Sequence, residues 1–217
     1  MTVDARMFTV GPVQENAYIV RLPDANTAVM VDPGDEGPRL LEALRALEIT
    51  ELDAILLTHT HFDHIGAVAE VARATGAPVY VPELEVEMLR DPNAYMRLPG
   101  FGPFEGYEAD QTVGGGETLE LAGLTFDVQF VPGHSIGHVS YGLPDHGALF
   151  SGDVLFQGSV GRVDLPGGDW PTLEASIGRL LDAYPDETVV HPGHMGLTTL
   201  GAERATNPFL RQLAHHG

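Results

Sequence analysis

The apolar positions in the first third of the chain alternate between short runs and helical stripes. Runs rich in β-formers at 17–20 and 28–31 predict two strands joined by a turn. Leucines spaced three and four residues apart over 40–47 predict a helix. The continuous apolar run 54–57 predicts a strand that is buried on both faces. A second stripe over 65–72 predicts another helix, which ends before Gly76.

The second half of the chain repeats this order of strands followed by a helix. Its apolar pattern predicts strands at 119–121, 124–131, 139–143, 148–150 and 188–190, with a helix at 173–184 between the last two. Asp169 is the expected N-cap of that helix. Two repeats of this order suggest two packed sheets with helices outside, a four-layer αββα arrangement, but the pattern alone establishes only an α/β fold.

Residues 91–112 differ from the rest, because glycine and proline interrupt them repeatedly and several aromatic residues stand among them. Loops of this length within compact domains are often functional. We therefore expect one domain over 1–217 with a lid insertion at 91–112. A surface insertion whose aromatic residues pack on the body of the domain is equally open.

Composition removes several classes of function. The chain has 31 acidic and 11 basic residues, a net charge of −20 and no cysteine. All basic residues are arginine, and this balance argues against nucleic acid as a partner. Without cysteine, neither thiolate ligands nor a cysteine nucleophile is available. No apolar run reaches the roughly 18 residues of a membrane span, and no signal peptide is evident. We therefore expect a cytoplasmic protein without a membrane partner, and its oligomeric state stays open.

One segment directly after the buried run 54–57 concentrates groups that bind metals. It reads Thr58-His59-Thr60-His61-Phe62-Asp63-His64, and it stands between a predicted strand and a predicted helix. His59 and His61 are two residues apart, so in an extended segment their side chains project to one side. Asp63 and His64 add a carboxylate and a third imidazole within a turn. This spacing points to a metal site at the end of a strand.

Three further fragments each place one metal-binding side chain after an apolar strand and beside a glycine: 132–134, 151–153 and 192–194. Nitrogen and carboxylate donors without thiolate suit Zn(II), Fe(II) or Mn(II). Seven donors are too many for one tetrahedral ion, and they suit two ions that share a carboxylate. The pattern therefore favours a dinuclear hydrolytic centre. The seven donors are His59, His61, Asp63, His64, His134, Asp153 and His194.

With these motifs the chain resembles the metallo-β-lactamase superfamily, whose fold is the αββα sandwich. More narrowly, it is similar to the short glyoxalase II (hydroxyacylglutathione hydrolase) branch. Besides the metal-binding residues, the resemblance includes segments 11–16, 156–162, 164–169, 198–201 and 207–209.

The resemblance implies a role for each donor. His59, His61 and His134 would hold one divalent ion, and Asp63, His64 and His194 would hold the second, with Asp153 bridging the two. Zinc is the expected metal, with iron or manganese as alternatives. A hydroxide between the ions would attack a thioester such as S-lactoylglutathione, and Asp63 would help to orient it.

Arg162 is the candidate substrate-binding residue for a small anionic thioester, by the same resemblance. A structural salt bridge from Arg162 to Asp164 or Asp169 is the alternative. His138 is expected to support or pack against the site, and His191 to form a hydrogen bond within the core.

Other activities stay open. Only 23 residues follow His194, too few for the helical domain with which full-length glyoxalase II enzymes hold glutathione, so the thiol is undetermined. A lactone is an alternative substrate. A mononuclear Fe(II) persulfide dioxygenase, with His59, His134 and Asp153 as ligands, is an alternative enzyme. Hydrolysis of β-lactams is not expected, because antibiotic-hydrolysing relatives usually have Cys or Ser at the position of Asp153.

Overall fold

Two six-stranded β-sheets form the centre of the structure, a computed structural model that describes residues 2–95 and 100–210. In the first sheet the strands follow chain order, β1-β2-β3-β4-β5-β6. The first three strands are antiparallel, and β3 to β6 are parallel. Their bounds are β1 Asp4–Val10, β2 Glu15–Arg21, β3 Thr27–Val31, β4 Glu51–Leu56, β5 Val79–Pro82 and β6 Gln111–Val113.

The second sheet has the order β14-β13-β10-β9-β8-β7, and a separate small hairpin is formed by β11 and β12. Strands β8, β10 and β13 run in the same direction, because β9 lies antiparallel between β8 and β10 and β13 is parallel to β10. The bounds are β7 Thr118–Leu121, β8 Leu124–Phe130, β9 Val139–Leu143, β10 Ala148–Gly152, β11 Leu155–Phe156, β12 Ser159–Val160, β13 Val189–Pro192 and β14 Thr198–Thr199.

Seven α-helices accompany the sheets within the described residues. The longest, α6, begins after Asp169, whose side chain accepts a hydrogen bond from the Thr172 N–H as an N-cap should. None of these helices is long and apolar enough to cross a membrane. Their bounds are α1 Gly37–Ala46, α2 Phe62–Ile65, α3 Val68–Thr75, α4 Val86–Arg90, α5 Pro92–Tyr95, α6 Trp170–Ala183 and α7 Leu200–Thr206.

Three apolar clusters separate four layers. One lies between α1 and α3 and the first sheet, the second lies between the sheets, and the third lies between the second sheet and α6. Successive side chains of β4 alternate between two of these clusters: Ile55 belongs to the outer one, and Ala54 and Leu56 to the one between the sheets. This alternation explains why the run is apolar throughout. The predicted αββα sandwich is confirmed.

The helix predicted over 65–72 is in fact two helices, α2 and α3, separated by Gly66 and Ala67. A Cβ at Gly66 would lie 2.3 Å from the carbonyl oxygen of Gly34, so only glycine fits where the chain passes this loop. The prediction also missed β1, an edge strand that is half exposed and therefore lacks a strong apolar pattern.

The predicted lid insertion at 91–112 is partly described, and 96–99 lie outside the described residues. Its last two residues belong to β6, so the irregular segment ends earlier than predicted. Phe101 and Phe104 pack against Phe62 of α2, with ring centroids 4.9 and 5.3 Å apart. These aromatic side chains therefore pack on the body of the domain, beside the helix that carries Asp63.

Candidate metal centre

Three imidazoles converge at the carboxyl end of β4 and of β8. The Nε2 atom of His59 lies 3.1 Å from Nδ1 of His61, and Nε2 of His134 lies 3.2 and 2.8 Å from those two atoms. Nitrogens that surround one tetrahedral zinc ion at the usual bond length are about 3.3 Å apart. The three donor atoms are thus spaced like the ligands of a single ion. We call this trio the first donor group.

A second donor group forms next to the first from Asp63, His64 and His194, whose donor atoms lie within 4.8 Å of one another. The Nε2 atom of His194 is 3.2 Å from Oδ2 of Asp63. Asp63 and His64 come from the first turn of α2, and His194 follows β13. The second group therefore joins the two sheets, as the first group does.

Asp153 lies between the two donor groups. Its Oδ2 atom is 3.4 Å from Nε2 of His134 and 3.6 Å from Nε2 of His194, and its Oδ1 is 3.4 Å from Nε2 of His64. Both Oδ1 of Asp153 and Nε2 of His64 are buried without a hydrogen bond. A buried polar atom without a partner is costly, and a cation between these groups would satisfy both atoms. The donor set therefore fits metal ions.

A glycine makes this close packing possible. A Cβ at Gly193 would lie 2.2 Å from Oδ1 of Asp153 and 2.7 Å from Cε1 of His64. No other residue could occupy that position without moving these side chains. The two donor groups and Asp153 together contain all seven predicted donors. They lie at one edge of the sandwich, where β8, β10 and β13 end.

Asp32, which the sequence analysis did not single out, orients a histidine of each donor group. Its Oδ2 accepts the Thr58 hydroxyl at 2.6 Å and lies 3.0 Å from Nδ1 of His64. The Thr58 oxygen in turn lies 3.1 Å from Nδ1 of His59. When Nδ1–H donates to these oxygens, Nε2 of each ring is free to bind a metal. Asp32 follows the apolar strand β3, the same strand-end position that marked the predicted donors.

Glu85 is a second residue that the sequence analysis missed. It is fully buried, and its oxygens accept hydrogen bonds from the Thr60 N–H and hydroxyl, the Gly137 N–H and the Ser135 hydroxyl. Thr60 lies between His59 and His61, and Ser135 follows His134. Glu85 therefore ties together the two loops of the first donor group. Glutamate alternates with an apolar residue over 83–87, and nothing in that pattern distinguishes the buried Glu85 from the exposed Glu83 and Glu87.

Asn16 performs the corresponding task for the second donor group. Its side-chain amide donates to the carbonyl oxygens of Pro192 and Met195, at 3.1 and 2.8 Å, on either side of His194. Met195 has a left-handed backbone conformation with φ of 69°. Nδ1 of His194 lies 3.3 Å from the Gln14 carbonyl oxygen. Gln14, directly before β2, and Asn16, the second residue of β2, thus hold the loop that carries His194. In the sequence this segment stands out only through the family resemblance.

The candidate substrate residue Arg162 lies at the cleft in front of the donor groups. Its guanidinium forms two hydrogen bonds with the Asp164 carboxylate, at 2.6 and 2.7 Å, and its side chain is 62% exposed. The ion pair with Asp164 is therefore present, whereas Asp169 caps α6 instead. The backbone oxygen of Arg162 lies 2.8 Å from Nδ1 of His134 and orients that ring. Substrate binding by the Arg162 side chain stays a prediction.

The two remaining core histidines differ in their contacts. His138 stacks on His59, with ring centroids 4.7 Å apart, and its Nε2 accepts the Asp153 N–H at 3.0 Å, so it supports the site as expected. The expectation for His191 is wrong at Nδ1, which is buried and has no hydrogen-bond partner. Its ring instead stacks on Phe150, with centroids 4.8 Å apart. The His191 ring is therefore held by packing against an aromatic side chain and not by a hydrogen bond at Nδ1.

Burial and neighbouring charges set the protonation of the donors. Burial, reinforced by the adjacent imidazoles, lowers the pKa of His59 far below its usual range and that of His61 to about 3. Burial by itself would raise the pKa of Asp153, but His64 and His134 outweigh it and lower that pKa. At neutral pH His59 and His61 are therefore neutral and Asp153 is an anion, the forms that bind metal ions.

Burial by itself would lower the pKa of His64 and of His194, but the adjacent Asp153 and Asp63 carboxylates outweigh it and raise both pKa values. A metal ion bound by His64 and His194 would therefore displace protons.

Comparison with known proteins agrees with this geometry. The family model described as the metallo-beta-lactamase superfamily matches residues 10–194. The chain is 41% identical to the probable metallo-hydrolase YqgX of Bacillus subtilis, over 94% of this chain and 96% of that protein. It is 33% identical to the hydroxyacylglutathione hydrolase GloC of Haemophilus influenzae, over 96% and 98% of the two chains. Both alignments span nearly the whole length of each protein.

Two solved structures extend the likeness to the fold. BLEG-1, a B3 metallo-beta-lactamase, is 44% identical and superposes with a TM-score of 0.89 over 95% of this chain and 99% of that one. TTHA1623 in a di-iron-bound form is also 44% identical, with a TM-score of 0.76 over 94% and 100%. The fold, the cluster of metal-binding side chains and the family match lead to one conclusion: the chain belongs to the metallo-beta-lactamase superfamily.

Proposed function

We propose that this protein is a thioester hydrolase that uses two divalent metal ions, one in each donor group. The observation that carries the proposal is the position of Asp153, whose carboxylate lies within 3.6 Å of a histidine nitrogen from each group. One carboxylate between two sets of nitrogen and oxygen donors is the arrangement of a dinuclear hydrolytic centre. Zinc suits these donors, and the di-iron form of TTHA1623 makes iron the main alternative.

Two bound divalent ions would supply a water molecule that is ionised at neutral pH and would polarise the carbonyl group of the substrate. The protein contributes the orientation of every ligand. Asp32 holds His59 and His64, Glu85 holds the loops of the first group, and Asn16 holds the loop of His194. Hydrogen bonds of this kind keep ligand atoms in place and raise metal affinity.

In this proposal Asp63 has two tasks: it is a donor of the second group, and it orients the attacking water. Burial by itself would raise its pKa, but the hydrogen bond from His194 and the charge of His64 outweigh burial and lower it. The side chain is therefore an anion at neutral pH. Because Asp63 also lines the cleft, it can accept a hydrogen bond from the attacking water and fix its direction.

The chemistry of the leaving group favours a thioester over an amide. A thiol ionises near neutral pH, so a thiolate can leave the tetrahedral intermediate without first receiving a proton. The nitrogen of an amide or a β-lactam must be protonated as it leaves, which requires a placed acid. Asp63 and Asp153 both have lowered pKa values and do not suit that task. The known family member GloC is named for hydrolysis of a glutathione thioester.

The substrate would enter a cleft of about 350 Å³ whose wall includes five of the predicted metal donors, His61, Asp63, His134, Asp153 and His194. Arg162 and Leu165 also line this cleft. In this proposal the Arg162 guanidinium leaves Asp164, or shares it, to bind the anionic part of a small thioester. No membrane surface or nucleic acid takes part.

Metal analysis combined with a substrate panel tests the proposal. Freshly purified protein should contain about two divalent ions per chain and should hydrolyse S-lactoylglutathione or simpler thioesters. The panel also includes a lactone and a β-lactam, the latter because BLEG-1 is a metallo-beta-lactamase. Turnover of either one without thioester turnover would contradict the proposal.

A persulfide dioxygenase is the second candidate, since His59, His134 and Asp153 lie close enough to act as a facial triad for one iron. The nitrogens of His59 and His134 are 3.2 Å apart, and His134 lies 3.4 Å from Asp153. One iron per chain, with oxygen consumption on glutathione persulfide, would favour this enzyme and overturn the hydrolase.

A further inference from the structure

A second cavity opens directly beside the metal cleft. Its volume is about 220 Å³, and it shares four wall residues with the cleft, namely Val13, Phe62, Asp63 and Phe101. Asp63 belongs to the second donor group, so the cavity begins at the place where a substrate carbonyl would react. A group attached to that carbonyl could therefore extend into it.

Six of the described side chains that line this cavity are apolar, three of them phenylalanines. Phe62 contacts Phe101 and Phe104, with ring centroids 4.9 and 5.3 Å apart, and Val10 and Pro12 complete the apolar part. Among the residues that the structure describes, five glycines contribute to the remainder of the wall. An apolar group that enters such a cavity leaves water, which favours binding by about fourfold for each methylene buried.

The charged residues of the wall select against anions. The lining residues that the structure describes include two acids, Asp35 and Asp63, and no arginine. Arg162 lines the neighbouring cleft and is absent from the described wall of this cavity. A carboxylate in the cavity would face Asp35 without a counter-ion, so its binding would be unfavourable.

We propose that this cavity is the acyl pocket of the enzyme and that it takes an uncharged alkyl or aryl acyl group. The inference rests on the proposed thioester hydrolase and adds the class of acyl group that it prefers. The anionic part of the substrate, which Arg162 binds, then belongs to the thiol and not to the acyl group. Acyl groups that carry a carboxylate are poor substrates.

Three thioesters that share the neutral thiol N-acetylcysteamine and differ only in their acyl group test this preference. With metal-loaded protein, kcat/KM should be at least tenfold higher for the hexanoyl than for the acetyl thioester, and lowest for the succinyl thioester. Phe101→Ala should reduce the hexanoyl-to-acetyl ratio by at least fivefold. Phe130→Ala is the matched control, because Phe130 is also 39% exposed but lines a different cavity, and it should preserve the ratio.

Binding of the product acids, measured by calorimetry on the same metal-loaded protein, does not depend on turnover. Hexanoate should bind more tightly than acetate, and Phe101→Ala should abolish the difference. If no thioester is hydrolysed but hexanoate still binds more tightly than acetate, the acyl pocket is supported and the proposed thioester hydrolase is overturned. If thioesters are hydrolysed but chain length and Phe101 have no effect on rate or binding, the pocket is overturned.

Discussion

Glu85 binds Thr60 twice, through the backbone N–H at 2.7 Å and through the hydroxyl at 2.8 Å. Thr60 separates His59 from His61, so this pair of hydrogen bonds fixes the segment from which both imidazoles project. The other oxygen of Glu85 accepts from Ser135 and Gly137, next to His134. One buried carboxylate therefore sets the relative position of all three histidines of the first donor group.

We expect Glu85→Gln to weaken both the fold and the first metal site. All four partners of Glu85 donate hydrogen bonds, and an amide has one acceptor oxygen, so its NH₂ group would face two donors. The free energy of unfolding should fall by about 2–4 kcal/mol. Urea unfolding and competitive metal titration measure the two effects.

Glu203→Gln is the matched control for this prediction. Glu203 is also buried and accepts from three donors, the Gly158 N–H, the Thr198 hydroxyl and the Asn207 amide. It should lose comparable stability but keep metal affinity. Equal loss of metal affinity in both variants would show that Glu85 acts only through global stability.

Asn16→Ala should weaken the second metal site selectively. The change leaves the Pro192 and Met195 carbonyl oxygens without the amide donor and frees the loop that carries His194. Loss of such supporting hydrogen bonds costs about 10- to 100-fold in metal affinity. A stepwise titration should show one ion bound as in the wild type and a second bound more weakly. Asn207→Ala, which removes another fully buried amide, should leave both steps unchanged.

Asp153→Ala should remove both metal ions and all turnover. Its carboxylate is the group that reaches both donor groups, and without it the Nε2 atoms of His64 and His134 each lose the carboxylate that lies 3.4 Å away. Elemental analysis of the purified variant is the measurement, with Asp164→Ala, a change at an exposed carboxylate, as the control. Occupancy of two ions per chain in Asp153→Ala would rule out the bridging assignment.

Arg162→Ala should raise KM for anionic thioesters by about tenfold, with a smaller effect on neutral ones. The backbone carbonyl that orients His134 is unchanged, so metal content should stay at the wild-type value. Arg6→Ala is the matched control, since Arg6 also pairs with an aspartate two residues away. An equal effect on neutral and anionic substrates would contradict a charge-recognition role.

His191 should make stability depend on pH. Burial lowers the pKa of His191 to about 4, below the ordinary value of 6.5, so the unfolded chain binds more protons between these pH values. Stability is then full above pH 6.5 and decreases as the pH falls, by roughly 3 kcal/mol in all. In His191→Phe, studied in a chelator, the fall in unfolding free energy from pH 7 to pH 4 should be smaller by that amount. Identical pH profiles would refute the assignment.

The fold class and the set of candidate ligands can be predicted from the amino-acid sequence. Both follow from local patterns, because apolar periodicity reports which faces of β4 and α6 are buried, and the donors stand at strand ends beside glycines. The resemblance of these motifs to a known superfamily then predicted the αββα sandwich, which the structure confirms. Local patterns were weakest where burial is partial, as in β1, and where a backbone contact from elsewhere interrupts a helix, as at Gly66.

The residues that support the metal centre, and the place where a substrate could bind, depend on long-range contacts in the folded chain. Glu85 lies 25 residues from Thr60 and 50 from Ser135, and Asn16 lies 176 residues from Pro192. Their roles depend on where two sheets meet, and a single carboxylate or amide has no periodic pattern that would reveal such a contact. The same holds for the acyl pocket, because its wall combines Val10, Phe62 and Phe101 from three separate segments. Hydrophobic periodicity specifies the layers, whereas long-range contacts between their loops build the site.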